Sequence, residues 1–491
     1  MSAKYLLNKF ESRVDILKRN MIWVFLLAIL SISSFKRSPI IIVPGLFGST
    51  LYATYENMTN IPFYCPRELS NELFWLDTRF IIPPFINCFT LLSQLKFNNE
   101  TQTIHNFPGV QFSIHDFGGK SSVDYIIKSQ GKQQINESSN HNSSPSLLSR
   151  IKEKMVFFDQ FHTLFSYFEQ RNYTVGENIY SAPYDWRLAP LFLDSFWSDF
   201  KHLIENAYAK SNETRVTLIG HSMGCFMIQQ FLTRNKKIEQ LFELIDEKWI
   251  NTYIEKVIFI APNFGGSLII DEGLIQRFSP LVPFLRNEYI AGMATSVPGI
   301  HANTLNMEIF KNVAIVRDKN GVNYTASDMY DVIVNNSGIR REDVPILERS
   351  FEIMKTAPVD IGPNIPLAII FNSKIQTLSF LDYKKGFDKS PTKHFEVDGD
   401  GSLLAKGARY ACDNWSSENR TLLCIDLNKS DKRTCDHTGM TSNLKVIELL
   451  FNLTERETEK WWKTKGKFKI MLDDDFEISK SINENHINTE L

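Results

Sequence analysis

Gly220-His221-Ser222-Met223-Gly224 constrains this chain more than any other stretch. The apolar run Arg215-Val216-Thr217-Leu218-Ile219 precedes it and reads as a buried strand. Cys225-Phe226-Met227-Ile228-Gln229-Gln230-Phe231-Leu232 follows and reads as a helix. Strand, Gly-x-Ser-x-Gly, helix is the arrangement of a nucleophile elbow. The turn is so sharp that side chains at the two glycines would collide with neighbouring backbone. The serine is then held exposed at the top of a sheet, with a helix N-terminus behind it. An ordinary Gly-Ser turn is the competing reading, and the flanking strand and helix favour a nucleophilic Ser222.

Other apolar runs supply the rest of a sheet. Pro39-Ile40-Ile41-Ile42-Val43 ends in the tight loop Pro44-Gly45-Leu46-Phe47-Gly48-Ser49, and Lys256-Val257-Ile258-Phe259-Ile260 ends in Ala261-Pro262-Asn263-Phe264-Gly265-Gly266-Ser267. Ile365–Phe371 is a third such run. Buried strands alternating with helices predict an α/β chain with a mostly parallel sheet covered on both faces. Residues 126–150 are polar and read as an exposed insert, and the tail 456–491 is charged and weakly patterned. Residues 268–364 are too long for a connection and read as an inserted cap. The core is therefore split into 38–267 and 365–455.

Residues 1–37 read as a targeting segment. Met21–Phe35 is an apolar run between Lys18-Arg19 and Lys36-Arg37. It is shorter than the roughly 20 residues of a membrane span and as long as a signal h-region of about 7–15. It reads as a short signal-anchor, or as a cleavable signal peptide if translation starts at Met21. Asn-x-Ser/Thr sequons recur from Asn57 to Asn452, which favours entry to the secretory pathway. The six cysteines are then candidates for disulfides. A net charge of −2 implies no basic surface, so nucleic acid is excluded as a partner class.

A serine hydroxyl needs a histidine base, itself oriented by a carboxylate. In α/β-hydrolases these follow the nucleophile in the order acid, then histidine. Three histidines lie downstream near acidic turns: His394, His437 and His486. His486 sits in the polar tail, and His394 precedes the sharp loop Glu396-Val397-Asp398-Gly399-Asp400-Gly401. That leaves Asp398 or Asp400 as acid and His437 as base. A plain turn competes with the acidic reading, but a calcium loop does not. Counted from Asp398, Leu403 stands where an EF-hand needs glycine and Arg409 where it needs glutamate.

From Pro39 to about Leu450 the chain resembles the lecithin:cholesterol acyltransferase family, which includes lysosomal group XV phospholipase A2. The motifs arrive in family order: Ile42–Ser49, Phe74-Trp75-Leu76-Asp77, then Ala182-Pro183-Tyr184-Asp185-Trp186-Arg187-Leu188-Ala189-Pro190. Ala261–Ser267, Asp398-Gly399-Asp400-Gly401-Ser402-Leu403 and His437-Thr438-Gly439-Met440-Thr441-Ser442-Asn443 complete the series. The resemblance implies an α/β-hydrolase fold with Ser222 as nucleophile, Asp400 as acid and His437 as base. It also implies an oxyanion hole from the backbone N–H groups of Leu46 and Met223, the two donors that acyl transfer requires. A Cys65–Cys88 disulfide would close a lid loop at about 55–92, on which Phe74 and Trp75 cover the site or touch lipid. The competing reading makes both ordinary core aromatics. Cys225 reads as a buried free thiol, and Cys412, Cys424 and Cys435 include at most one pair that the sequence does not choose. Asp185 and Arg187 read as a structural ion pair. Leu46 and Ser402-Leu403 depart from the family pattern at the oxyanion and acid loops.

The resulting expectation is a serine lipase or acyltransferase of the secretory pathway, secreted, lysosomal or vacuolar, or tethered by its N-terminal segment. Its partners would be a phospholipid substrate at a membrane or lipoprotein surface, with water or a lipid alcohol such as a sterol as acceptor. Neither a metal nor an organic cofactor is required. A non-catalytic lipid-binding protein on this fold and a serine esterase or thioesterase for soluble substrates are the rival classes.

Overall fold

The computed structural model describes residues 37–81, 83–124, 160–234, 238, 241, 244–278, 288–355, 360–362, 365–427, 435–455 and 466–471. The run Met21–Phe35, the insert 126–150 and the sequons at Asn136, Asn142 and Asn428 lie outside these residues.

A seven-stranded sheet organises the chain. Its strands are β1 (Ile40–Val43), β2 (Ile179–Ser181), β3 (Val216–His221), β4 (Ile254–Ile260), β5 (Leu367–Phe371), β6 (Thr421–Asp426) and β7 (Gly466–Met471). They lie in the order β7-β6-β5-β4-β3-β1-β2, and every neighbouring pair is parallel. Successive strand side chains point to opposite faces, so a strand covered on both sides must be apolar throughout. Ile41, Val43, Leu218, Val257, Phe259 and Ile369 pack into one layer. Ile40, Ile42, Ile219, Ile258, Ile260 and Ile370 pack into the other.

Helices complete both layers. On the second face lie α1 (His162–Glu169), through Leu164, Phe165 and Phe168, and α4 (Leu444–Thr454), through Val446, Ile447 and Leu450. On the first face lie α2 (Asp194–Lys210), through Phe196, Phe200 and Ile204, and α3 (Met223–Thr233), through Phe226 and Phe231. This strand order, with an elbow between β3 and α3, is an α/β-hydrolase fold, as expected from the sequence. β2, β6 and β7 are additions to the strands read there. β7 lies in the tail and sits at the sheet edge, where alternating lysines are tolerated.

Residues 268–364 carry helices at Leu268–Gln276, Glu288–Ser296, Met329–Asn336 and Val344–Met354. Their short strands Val316–Arg317 and Asn323–Tyr324 join Gln376–Asp382 and Thr392–Val397 in a four-stranded sheet. The small sheet is thus completed from beyond residue 364, by the hairpin that leads into the Asp398–Gly401 loop.

Cys65 bonds Cys88 and Cys412 bonds Cys424, while Cys225 and Cys435 are buried thiols outside both bridges. Closing the first loop stabilises the fold by about 3 kcal/mol in the chain-entropy view. Among the described sequons, Asn57, Asn99, Asn172, Asn212, Asn323, Asn335, Asn414 and Asn419 are exposed and Asn452 is half-buried. Among the described residues no helix is long and apolar enough to cross a membrane.

One buried acid stands apart. Asp271 is fully buried, and its Oδ2 accepts the Leu305 N–H at 2.9 Å while Oδ1 has no partner among the described residues. Burial pushes its carboxyl up to about 7. The folded state therefore holds this proton more tightly than the unfolded chain, whose aspartates titrate near about 3.9. Its contribution to stability is complete below that lower value and is lost as pH rises through about 7. Thermal melts of wild type should fall across this window, and Asp271→Asn should flatten that fall. An unchanged slope in the variant would show that Asp271 does not set it.

Candidate active site

The site is built where β1 and β3 end side by side. The loop after β1 turns back through Gly48 N–H to Gly45 carbonyl, at 3.0 Å, and lies against the elbow after β3. A Cβ on Gly45 would stand 2.8 Å from the Cβ of Ser222, and one on Gly224 would stand 2.1 Å from the carbonyl oxygen of Val43. Both separations are below van der Waals contact, so these positions admit no side chain without backbone movement. Ser222 itself has φ 54°, ψ −125°, a conformation that L-residues rarely adopt. It is retained here by hydrogen bonds on both sides: Ser222 N–H donates to Ile260 carbonyl and Cys225 N–H to Ser222 carbonyl, each at 3.0 Å.

Three sequence-predicted residues converge on this point. His437 Nε2 lies 2.8 Å from Ser222 Oγ, and His437 Nδ1 lies 2.8 Å from Asp400 Oδ2. A carboxylate can only accept, so Nδ1 carries the proton and Nε2 is left to accept from the serine hydroxyl. Asp400 is held in turn, since its Oδ1 accepts the N–H groups of Ser402 at 3.0 Å and Leu403 at 2.7 Å. The backbone repeats the pairing, with His437 N–H donating to the Asp400 carbonyl at 2.9 Å. Asp398, the other candidate acid, makes a two-pronged ion pair with Arg409 instead. His394 lies on the exposed strand Thr392–Val397, and His486 is outside the described residues.

Burial alone would pull the His437 imidazole down. The charge of Asp400 and its hydrogen bond outweigh that, and the net shift is upward. The Leu46 and Met223 N–H groups donate to no acceptor among the described residues, which leaves both open to a ligand oxygen. Among the described residues, no group of three His, Cys, Asp or Glu is arranged to hold a metal ion.

The Ala182–Pro190 segment braces the loop that carries Leu46. Tyr184 O–H donates to Pro44 carbonyl at 2.7 Å, and Tyr184 N–H donates to Ser49 Oγ at 3.0 Å. Burial pushes the phenol far up, so it stays a donor. Trp186 packs on the Phe47 ring with centroids 4.5 Å apart. Arg187 is buried and paired with Asp185 at 2.6 Å.

Phe74 and Trp75 require a correction. Neither covers the site from outside or faces a lipid surface: Phe74 is 0% and Trp75 4% exposed. Phe74 packs among Phe80, Phe89 and Phe112. The Trp75 indole N–H donates to Phe47 carbonyl at 2.8 Å, and its ring meets Phe47 and Trp186. Large aromatics on a strand bury most area by packing inward, and the indole N–H then needs an internal acceptor. The exposed aromatics of this region are Phe63, at 88%, and Phe85, at 38%. Sequence reasoning missed them, as it missed Asn303, whose Nδ2 meets Met223 Sδ at 3.0 Å, and His221.

Similarity to known proteins agrees with the motif resemblance. The lecithin:cholesterol acyltransferase family profile matches residues 71–301. Mouse phosphatidylcholine-sterol acyltransferase is 27% identical over 416 residues, 84% of this chain and 83% of that protein. Human lysosomal phospholipase A and acyltransferase is 23% identical over 428 residues, 84% of this chain and 91% of that one. A chain of the Tle4–Tli4 complex covers 85% of this chain and 98% of itself at TM-score 0.43 and 11% identity.

The electrostatics of the His437–Asp400 pair can be measured without any substrate. NMR titration should find His437 above the ordinary histidine range in wild type and lower in Asp400→Asn, where burial is no longer opposed by a charge. An equal titration point in the two proteins would mean that Asp400 does not polarise the imidazole.

Proposed function

For this relative of the lecithin:cholesterol acyltransferase family, we propose the function of a serine phospholipase A and O-acyltransferase working through an acyl-serine. One observation carries the reading: the unbroken chain Ser222 Oγ–His437–Asp400, with two contacts of 2.8 Å, beside two unclaimed backbone donors. In the first half-reaction Ser222 Oγ attacks an ester carbonyl of a glycerophospholipid while His437 Nε2 takes the hydroxyl proton. Leu46 and Met223 N–H groups hold the oxyanion, a contribution worth about 3 kcal/mol per donor. The intermediate collapses, His437 returns the proton to the departing lysophospholipid oxygen, and the acyl group stays on Ser222. In the second, His437 deprotonates water or an alcohol, which attacks the acyl-serine; the acyl–Oγ bond breaks, His437 returns the proton to Ser222 Oγ, and fatty acid or a new ester leaves. Asp400 keeps the imidazole in the required tautomer and stabilises its charged form.

The partners we propose are a phospholipid at a membrane or lipoprotein surface and, for transfer, a lipid alcohol such as a sterol. The two disulfides, the exposed sequons and a relative named for the lysosome support a secretory-pathway location. Phe63 and Phe85 support the lipid surface. Each lies within three residues of a cysteine of the Cys65–Cys88 bridge, so the bridge gathers two exposed rings at one place. Interfacial binding rises with apolar area buried in the membrane.

Liposomes of a phosphatidylcholine, with and without a sterol, test the reaction. Wild type should release fatty acid, and sterol ester where transfer operates, and Ser222→Ala should give neither. Absence of both products from folded wild type would overturn the substrate class. For the surface, Phe63→Ser with Phe85→Ser should weaken vesicle co-sedimentation while sparing hydrolysis of a soluble short-chain ester. Undiminished co-sedimentation would place the lipid contact elsewhere.

A further inference from the structure

His221 precedes the nucleophile, and nothing in the proposed mechanism uses it. It is 4% exposed, and its Nε2 lies 2.8 Å from the backbone carbonyl oxygen of His437. The two rings are 5.2 Å apart between centroids and inclined at 37°, and the Phe161 ring meets His221 edge-on from 6.1 Å. The geometry points to His221 as a positioning residue for the catalytic base: it ties the His437 backbone to the nucleophile strand and so sets the reach of Nε2 to Ser222. This inference rests on the Ser222–His437–Asp400 reading and deepens it.

A carbonyl can only accept, so His221 donates through Nε2–H, and its Nδ1 is left without a proton. Nδ1 has no partner among the described residues, which suits the neutral ring. Burial, with the neighbouring His437, pulls its titration down to about 3, so it stays neutral wherever His437 works. A charged His221 would instead oppose the imidazolium that forms on His437 during acyl transfer.

The clamp ties the histidine segment to the strand that carries the nucleophile. His437 N–H is held by Asp400 carbonyl, on the acid loop. Cys435 carbonyl accepts from Asn372 Nδ2 at 3.0 Å, at the end of β5. The His221 contact runs from the histidine segment to β3, whose next residue is the nucleophile itself. A base and a nucleophile that arrive from distant parts of the chain are thereby referred to one strand end. Misplacement of a reacting group by about 1 Å can cost on the order of 100-fold in rate.

The test uses the full chain with a soluble p-nitrophenyl ester, comparing His221→Leu and His221→Gln with wild type. Gln offers an amide N–H at a reach near that of Nε2, whereas Leu fills space and donates nothing. His221→Leu should lose on the order of 10- to 100-fold in kcat with KM little changed. It should lose as much in the rate of labelling by a fluorophosphonate, while His221→Gln recovers most of both. Wild-type rates in a folded His221→Leu, or equal losses in Leu and Gln, would overturn the inference. If Leu does not fold, His221→Asn serves as the shorter-reach amide, and recovery by Asn equal to Gln would overturn it too. Failure of wild type itself to label would instead overturn the underlying triad reading.

Discussion

The approach of two backbones at Gly224 is the constraint on which the site depends. A Cβ there would stand 2.1 Å from Val43 carbonyl oxygen, so α3 can start where it does only if that residue is glycine. That contact fixes the distance from the elbow to the end of β1. The loop after β1 then lies against Ser222, because Gly45 too has no side chain to hold it off. Ser222 and the Leu46 and Met223 N–H groups, the nucleophile and oxyanion donors we propose, are thus set by two parallel neighbours in a sheet, not by flexible loops meeting in solvent. Preorganised donors of this kind stabilise developing charge without reorganising at the moment of reaction.

The strained φ of Ser222 is sustained by what surrounds it. Ile260 carbonyl takes its N–H, and its own carbonyl accepts from Cys225 N–H. The loop after β1, where we propose the oxyanion donor Leu46, is stiffened from its other side by three aromatics. Tyr184 grips Pro44 carbonyl, Trp75 grips Phe47 carbonyl, and Trp186 fills the space against the Phe47 ring. Here apolar burial and hydrogen bonding act together. Each ring is locked by packing, and the polar atoms of Tyr184 and Trp75 each fix a backbone group of the loop. In the same segment the buried Arg187 guanidinium pairs with the partly exposed Asp185.

The parts legible in the sequence are those where local chemistry admits few alternatives. Gly220 and Gly224 flank a serine between a β-branched strand and an apolar helix, so the elbow could be read before any contact was known. The order of serine, acidic turn and histidine limited the remaining partners. Asp398 and Asp400 could not be separated by residue type, because both sit in one Asp-Gly repeat. Their difference is tertiary: Arg409 captures the first, and the second turns toward His437. The direction of Phe74 and Trp75 was likewise set by distant partners, Phe112 and Phe47, that no local pattern announces. β2 and β7 were hidden by brevity and by charge, since an edge strand need bury only part of its surface.

Asp400 is carried differently from Ser222. Its loop leaves the small sheet at Thr392–Val397, whose partner strand Gln376–Asp382 also pairs with Val316–Arg317 of the 268–364 segment. Gly401 N–H donates to Thr377 Oγ1 at 2.9 Å, so the acid loop rests on that same hairpin. The segment that departs most from regular α/β alternation is therefore coupled, through one hairpin, to the Asp400 carboxylate that meets His437. Changes in the segment that move this hairpin would act on His437 through Asp400. Ser222 and the loop after β1, braced by β1, β3 and Tyr184, would stay in place. On the mechanism we propose, this division gives the histidine an anchor to each part: Asp400 on the hairpin side and His221 on the β3 side.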